Sequence, residues 1–583
     1  MTDFETDVLV VGTGPTGSAA ALALATYGVR VHAVTRSSWL APTPRAHITN
    51  QRTVEVLRDL GVEEEATRYA TPWGLMGDTP FATSLAGEEI ARLRTWGTGE
   101  DRHGEYVQGS PCPLLDIPQT YLEPVLLGNA AARGATVAFD TEYLAHTQDG
   151  AGVTVDLRDS LSGREYRVRA RYLIGADGAR SRIVADLGLE LEGHLARAGT
   201  AYVLFHADLR RHVEHRPSIL YWIMTPGTSV GEIGMGILRA VRPWHTWIAG
   251  WGYDLAAGEP DLAEDAVTAK IRAMVGDPGL EVDVAATSTW YVNQACATSY
   301  SSGRVFCGGD AVHRHPPSSG LGSNTSIQDA FNLAWKLAYV IQGRAHESLL
   351  DSYSLERVPV GQQVVARANQ SRLDYGPLNE CFRTTGEADP VAAGLAKLRD
   401  PGPAGVAVRE ALAEALELKN YEFNAQGVEL NQRYASGAVL ADPDAGEEHW
   451  PRDRQLHLQP STRPGAKLPH CWLVDRNGHR VSTLDLVGRG RFCLVTGLAG
   501  GAWAHAVRKL ALPFLSSVVI GSGGAADPYC DWARIREIHE AGALLVRPDG
   551  HVAWRHGEAM WDEDEALHLV ENALCRVLGT TAP

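Results

Sequence analysis

Three groups of residues in this chain could do chemistry, and all three suit a dinucleotide rather than a metal or a nucleophile. The first is Gly12-Thr13-Gly14-Pro15-Thr16-Gly17. At this spacing Gly12 makes a tight turn, Gly14 lets a pyrophosphate approach the backbone, and Gly17 lets a helix pack closely on the preceding strand. The second is Gly175-Ala176-Asp177-Gly178. The third runs from Gly308-Gly309-Asp310 through His313-Arg314-His315-Pro316-Pro317 to Gly320-Leu321-Gly322-Ser323-Asn324. An aspartate at a strand end can bind a polyol hydroxyl, and the amides of a Gly-rich turn can face an electron-rich ring edge.

Regular elements must carry these turns. Asp7 to Val11 is a β-branched run suited to a buried parallel strand. An Ala/Leu helix follows from about Ser18 to Tyr27, Gly28 stops it, and Val29 to Val34 reads as the next strand. This strand–turn–helix frame is what makes the first glycine motif specific, because free N–H groups of the helix would point at the phosphates. Arg169 to Ile174 is a strand running into Asp177, and Gly303 to Cys307 one running into Asp310. Ile327, Phe331, Ala334, Leu337 and Ile341 recur at helical spacing, which predicts a helix from about Thr325 to Ile341 ended by Gly343. One position departs from the dinucleotide pattern: the second strand ends in Thr35-Arg36, where a carboxylate would chelate the ribose.

The charge of −17 and the pI near 5.7 exclude a phosphate backbone as partner, and no polybasic stretch offers a membrane anchor. The uncharged run from Val8 to Val29 is broken by glycine and proline, so it is no membrane span. Eight cysteines without a CxxC spacing read as reduced thiols of a cytoplasmic protein, and the acidic start, from Met1 to Glu5, has no signal-peptide character. Asp310, His313 and His315 sit on one turn, where a facial metal array is hard to form; no metal is expected. His539-Glu540 begins an HExxH, but Ala543 stands where the second histidine would be.

The ordered set of GxGPxG, Asp-Gly at Asp177, and Gly-Asp at Asp310 followed by PPxxGxGxN and the helix Asp329 to Leu337 resembles the single-component FAD-dependent aromatic hydroxylases. The resemblance covers about the first 370 residues. Within that family, the stretch from Ala41 to Arg52 and the His313 to Pro317 turn are most similar to the 2,4-dichlorophenol 6-monooxygenases and phenol 2-monooxygenases. The resemblance implies FAD as cofactor, with NADPH or NADH and O₂ as cosubstrates. It implies that Gly12, Gly14, Pro15 and Gly17 hold the pyrophosphate, with Thr35 and Arg36 near the ribose. Arg45 and Gln119 would contact phosphate or ribityl groups, Asp177 would serve FAD and the nicotinamide dinucleotide, and Asp310 would bind the ribityl chain. Pro317, Gly320, Leu321, Gly322 and Asn324 would line the isoalloxazine ring. The family's Asp-Gly motif closes with arginine, and here that place is Val184. His47 falls where phenol hydroxylase carries a catalytic aspartate and is the candidate for the phenolic proton, with His313 and His315 as rivals.

The expected fold is α/β: a Rossmann-like FAD domain interleaved with a β-sheet substrate domain, as in p-hydroxybenzoate hydroxylase. These occupy 1–390, with the substrate sheet at about 80–115 and 190–290. Tyr221, Trp222 and Trp244 are candidates for a hydrophobic phenol pocket, although buried aromatics are also ordinary core. A helical segment and connector fill 391–465. Residues 466–583 resemble the family's thioredoxin-like C-terminal domain, in which Arg547 to Arg555 is a recognisable strand; without a CxxC it would serve stability or a homodimer interface. The implied reaction is hydroxylation ortho to a phenolic oxygen through a flavin hydroperoxide. A polycyclic polyketide as substrate, and a flavin-binding protein without turnover, are the other readings.

Overall fold

The computed structural model describes residues 4–195, 198–225, 228, 233–443, 445–521 and 524–580; the first three and last three residues lie outside it. Phe4–Val11 is fully buried over Val8 to Val10 and sits between Glu165–Gly175 and Val31–Val34, parallel to both. It is the centre of an eight-stranded sheet, and the chain order reverses across it, which places a ligand crevice at its C-terminal end. Pro15–Thr26 follows at once, beginning three residues before the expected start because proline needs no N–H at the first helical position. The second strand begins at Val31, two residues late: the Val29 N–H turns back to the Leu24 carbonyl and belongs to the helix end. The long helix is Gly322–Ile341, and Val305–Cys307 feeds the turn before it.

A seven-stranded sheet covers this unit, with the order Asp283–Tyr291, Gly199–His206, Thr246–Tyr253, Gly236–Arg242, Leu220–Ile223, Thr79–Ala82, Glu89–Leu93. Its early part stops at Leu93, short of the expected 115. Glu100–Gly109 is a helix instead, with Glu100 and Asp101 against the positive end of its dipole. Alternation along the strands divides the side chains between two faces. Val203, Phe205, Tyr221, Leu238 and Trp247 pack under the helix Glu264–Val275, and Trp244 leans on the same cluster. Phe81, Trp222, Met224 and Met235 face the other way, towards Ile48, Tyr106, Tyr375 and Phe382.

The connector contains the helix Pro403–Leu418, again with proline in its first turn. Beyond it, Leu515–Ile520, Phe492–Gly497, Ala543–Val546 and Val552–His556 form a sheet in that order; the first pair is parallel and the others antiparallel. Helices Gly501–Leu510 and Glu563–Leu578 pack together beside it. All eight cysteines are free thiols. No helix among the described residues is long and apolar enough to cross a membrane.

This last unit is fastened to the rest by buried ions. Arg547 donates to both oxygens of Glu356, at 2.5 and 2.9 Å, and to Asp549 at 2.5 and 3.1 Å; Lys336 donates to Glu356 at 2.7 Å. Lys467 donates to Glu55 at 2.8 Å, and Arg52 to the Asp549 carbonyl at 2.8 Å. Beside this seam lies a small cavity lined by Arg52, Arg58, Asp59, Asp485 and Arg489. Asp59 Oδ2 accepts from the Arg489 N–H at 2.7 Å, while Oδ1 has no protein partner. Burial pushes the Asp59 carboxyl up to about 7 from an ordinary 3.8. Between about pH 4 and 7 the folded chain therefore keeps a proton that the unfolded chain has lost, so stability falls as pH rises through that window. Asp59→Asn should flatten the stability–pH curve there by about 1–2 kcal/mol, after allowing for solvent at the carboxyl. Denaturant unfolding at several pH values checks this, and a variant curve parallel to the parent's would show Asp59 to be charged throughout.

Candidate active site

The three glycine turns meet at one place. Gly12, at φ +103°, lies so close to the second turn that a Cβ there would fall 2.1 Å from the Ala176 carbonyl oxygen. A Cβ on Gly17 would fall 1.8 Å from the Gly12 carbonyl oxygen, and one on Gly309 2.1 Å from Thr16 Oγ1. Gly14 is different: its nearest neighbour would be Glu123 Oε1, at 3.9 Å. Gly14 therefore presents open backbone at the start of Pro15–Thr26, a helix with no side-chain cap and no acidic residue in its first turn. Uncapped N–H groups above a bare glycine form an anion site of the size and charge a pyrophosphate needs. On this geometry the chain fits a dinucleotide cofactor.

Around that centre the predicted residues separate into those that face the crevice and those consumed by the fold. Arg36, Arg45, Asp310 and Pro317 are exposed, and Gly320, at φ +61°, rests its backbone near Ile48. Pro15, His47, Gln119 and Ser323 line one small cavity. Gln119 Nε2 donates to Glu123 Oε1 at 2.6 Å, and Glu123 Oε2 accepts from the Ala41 N–H at 2.8 Å. Glu123 anchors the loop that carries Arg45, and burial pushes its carboxyl up. Sequence reasoning missed it, though its place one helical turn after Gln119 was a usable signal.

Several of the predicted residues have their side chains engaged within the protein. Asp177 accepts from Ser181 Oγ at 2.6 Å and from the Arg182 N–H at 2.8 Å, which braces the start of the helix Arg182–Leu187. Asn324 is buried and fully occupied: Oδ1 accepts from the Asn50 N–H at 2.9 Å, while Nδ2 donates to the Ile48 and Gly320 carbonyls at 2.8 and 2.7 Å. It clamps two loops together. Leu321 turns its side chain into a separate cluster with Val360, Val364 and Val428. His313 is fully buried and donates Nε2 to Asp329 at 2.8 Å, which makes it part of the framework. Tyr221 and Trp244 lie on the helix-covered face of the second sheet, where Tyr221 donates its hydroxyl to the Arg216 carbonyl. Of the three proposed pocket aromatics, only Trp222 is on the face turned towards Ile48. Thr35 is nearly buried and accepts from the Ser37 N–H; the neighbouring turn offers a carboxylate at Asp140, which holds Ser38 Oγ at 2.7 Å.

His47 and His315 remain beside the crevice. His315 donates Nδ1 to the Pro316 carbonyl at 2.7 Å and leaves Nε2 without a protein partner; burial and His313 lower its pKa. His47 donates Nε2 to the Pro44 carbonyl at 3.1 Å, so its unpartnered Nδ1 carries a lone pair, 3.7 Å from Asp116 Oδ1. Asp116 is itself held by Arg239, at 2.8 Å, and by Thr71. Burial first, and the charge of Arg239 second, hold the His47 pKa well below 6.5, so the ring is neutral near pH 7. A neutral imidazole fixed in this tautomer can accept a hydrogen bond but keeps a proton poorly. Among the described residues no cluster of histidine, cysteine and carboxylate could hold a metal ion.

A family model described as an FAD binding domain matches residues 5–368, and one described as aromatic-ring hydroxylase, C-terminal, matches 461–581. The chain is 51% identical to 2,4-dichlorophenol 6-monooxygenase of Cupriavidus pinatubonensis, over 99% of this chain and 96% of that one. It is 45% identical to phenol 2-monooxygenase of a Pseudomonas species, over 98% and 93%. Aklavinone 12-hydroxylase RdmE of Streptomyces purpurascens and a putative polyketide hydroxylase of Streptomyces halstedii are each 34% identical, over 99% and 96% of this chain and 100% and 94% of theirs. Among solved structures, the flavin-dependent monooxygenase PieE in complex with FAD and substrate superposes with a TM-score of 0.94 at 41% identity, over the whole of both chains.

Proposed function

The chain belongs to the FAD-dependent aromatic-ring hydroxylases, and on that footing we propose that it adds one hydroxyl to a small phenolic ring, ortho to the existing oxygen. The observation that supports this reading is an apolar cluster set against the third glycine turn. Phe81, Trp222, Met224, Met235 and Tyr375 share one cluster with Ile48, which adjoins the Gly320 turn. Such a cluster suits a compact ring and keeps water from the reacting atoms. The greater identity to phenol and chlorophenol enzymes than to polyketide enzymes supports the smaller substrate.

When bound, FAD would take electrons from NAD(P)H and activate O₂ for transfer of one oxygen atom. The chain's own part is to hold and shield. Gly12, Gly14 and the first turn of Pro15–Thr26 would bind the pyrophosphate, Asp310 would accept a hydroxyl of the ribityl chain, and Arg45 would add positive charge. A phenol near pKa 10 cannot be deprotonated by an imidazole held below 6.5, so His47 would serve as hydrogen-bond acceptor and an acidic, ring-halogenated phenol would suit the site. We read the C-terminal unit as thioredoxin-like, because a parallel pair followed by two antiparallel strands has that order, but without thiol chemistry.

With FAD-reconstituted protein, 2,4-dichlorophenol and phenol should each stimulate NAD(P)H oxidation, with hydroxylated product formed in proportion. Oxidation without product would sink the proposal. For His47→Gln, the acid limb of kcat/KM against pH should stay where it is in the parent enzyme, because the ring does not titrate near neutrality. If the limb vanishes in the variant, His47 is the base after all.

A further inference from the structure

A run of buried contacts leads from the C-terminal unit to the third glycine turn. His551 follows Arg547 and Asp549 in that unit and stacks on Tyr434 of the connector, ring centroids 4.2 Å apart. The Tyr434 hydroxyl accepts from Arg357 Nη1 at 2.9 Å, and Gln432 Oε1 accepts from the same nitrogen at 3.0 Å. Arg357 Nε donates to Asp329 Oδ1 at 2.7 Å. Asp329 Oδ2 accepts from His313 Nε2 at 2.8 Å and from the Gly309 N–H at 3.1 Å. Tyr434, Arg357, Asp329 and His551 are all buried. Tyr434 also comes from a stretch, 369–460, that neither family model matches.

Each contact has a physical reason to matter to the next. Arg357 is fully buried, and its charge is met by one carboxylate and by the neutral acceptors Tyr434 and Gln432. Remove the tyrosine hydroxyl and one N–H of a fully buried guanidinium loses its partner, which favours a shift of the guanidinium. Asp329 would follow, and Asp329 holds the N–H of Gly309, whose φ of +64° sets the direction of Asp310. We propose that the Arg547 to His551 turn, with Tyr434 and Arg357, is a positioning device for the 309–322 segment. The C-terminal unit would thus help to set the cofactor's environment rather than merely add stability. This rests on the reading that the 309–322 segment faces FAD.

The test uses the full chain reconstituted with FAD. Tyr434→Phe keeps the ring and deletes the hydroxyl; His551→Leu removes the stack one step further out. The control is Val570→Ala, which loosens the core of the C-terminal helix and touches none of these contacts. Tyr434→Phe should weaken FAD binding about threefold to tenfold, the usual range for coupled positions, and shift the bound flavin's absorption band or midpoint potential. His551→Leu should act in the same direction by less. Val570→Ala should lower the melting temperature while leaving flavin affinity, spectrum and potential as in the parent. The proposal is overturned if Tyr434→Phe leaves all three flavin readouts unchanged, or if Val570→Ala shifts them as much. A parent protein that takes up no FAD would overturn both this proposal and the reading beneath it; FAD uptake with unmoved variants would overturn this proposal alone.

Discussion

Gly17→Ala should abolish retention of FAD and weaken the apoprotein as well. A Cβ at this position would stand 1.8 Å from the Gly12 carbonyl oxygen, and the atom it meets is backbone that cannot rotate away. The helix Pro15–Thr26 must then lift from the strand Phe4–Val11, which also carries Gly12 away from the Ala176 carbonyl. Overpacking of this kind typically costs about 1–3 kcal/mol of stability. The affinity loss should exceed about a hundredfold, because the displaced helix start is the part that would bind phosphate. Gly14→Ala separates the two effects. Its Cβ would meet only Glu123 Oε1, at 3.9 Å, so the apoprotein should melt as the parent does while FAD is excluded by the methyl group. Titration of apoprotein with FAD, with melting curves of the same samples, checks both. A Gly17→Ala protein with parental melting and affinity would mean that this turn is not the cofactor cradle.

Arg547→Met is the second large effect expected. The arginine is fully buried and answers two buried carboxylates, Glu356 and Asp549. Burial alone would push both carboxyls up, but the Arg547 charge, with Lys336 beside Glu356, holds them low and ionised. Methionine fills much of the volume and supplies no charge. Two carboxylates then share one lysine, and stability should fall by about 3–5 kcal/mol near pH 7. The sign with pH follows from the depressed carboxyls. Their contribution in the parent is complete above the unfolded value near 4.5 and is lost as pH falls towards the folded ones. The gap between parent and variant should therefore be widest at neutral pH and narrow in acid. Chemical unfolding at pH 7 and pH 4 measures it, and a gap that grows in acid would contradict the charge assignment.

Local pattern was enough to locate the strand, glycine turn and helix at the start of the chain. Glycine spacing between a β-branched run and an Ala/Leu run has one good backbone solution, so Gly12, Gly14 and Gly17 were readable without a partner in view. The order of the three turns, and the helices and strands that carry them, followed from periodicity to within a few residues. At the first glycine turn the misplaced boundaries fell where proline or a returning N–H moved an end, at Pro15 and Val29. What the tertiary structure alone decided was the fate of polar and aromatic side chains. Asn324 stands in a family motif, yet its bonds go to Asn50 and Ile48, more than 270 residues away in sequence. His313 looked like a reactive group until Asp329 and burial took it. Tyr221 and Trp222 both read as pocket candidates in the sequence, yet they point to opposite faces, and which face meets the crevice depends on where the helix Glu264–Val275 packs. The pKa of His47 is set by burial and by Arg239 on a distant strand. A backbone turn is fixed by short-range sterics, which neighbouring residues carry. A side chain's charge and partners depend on what lies around it in space, and here those neighbours come from segments that only folding brings together.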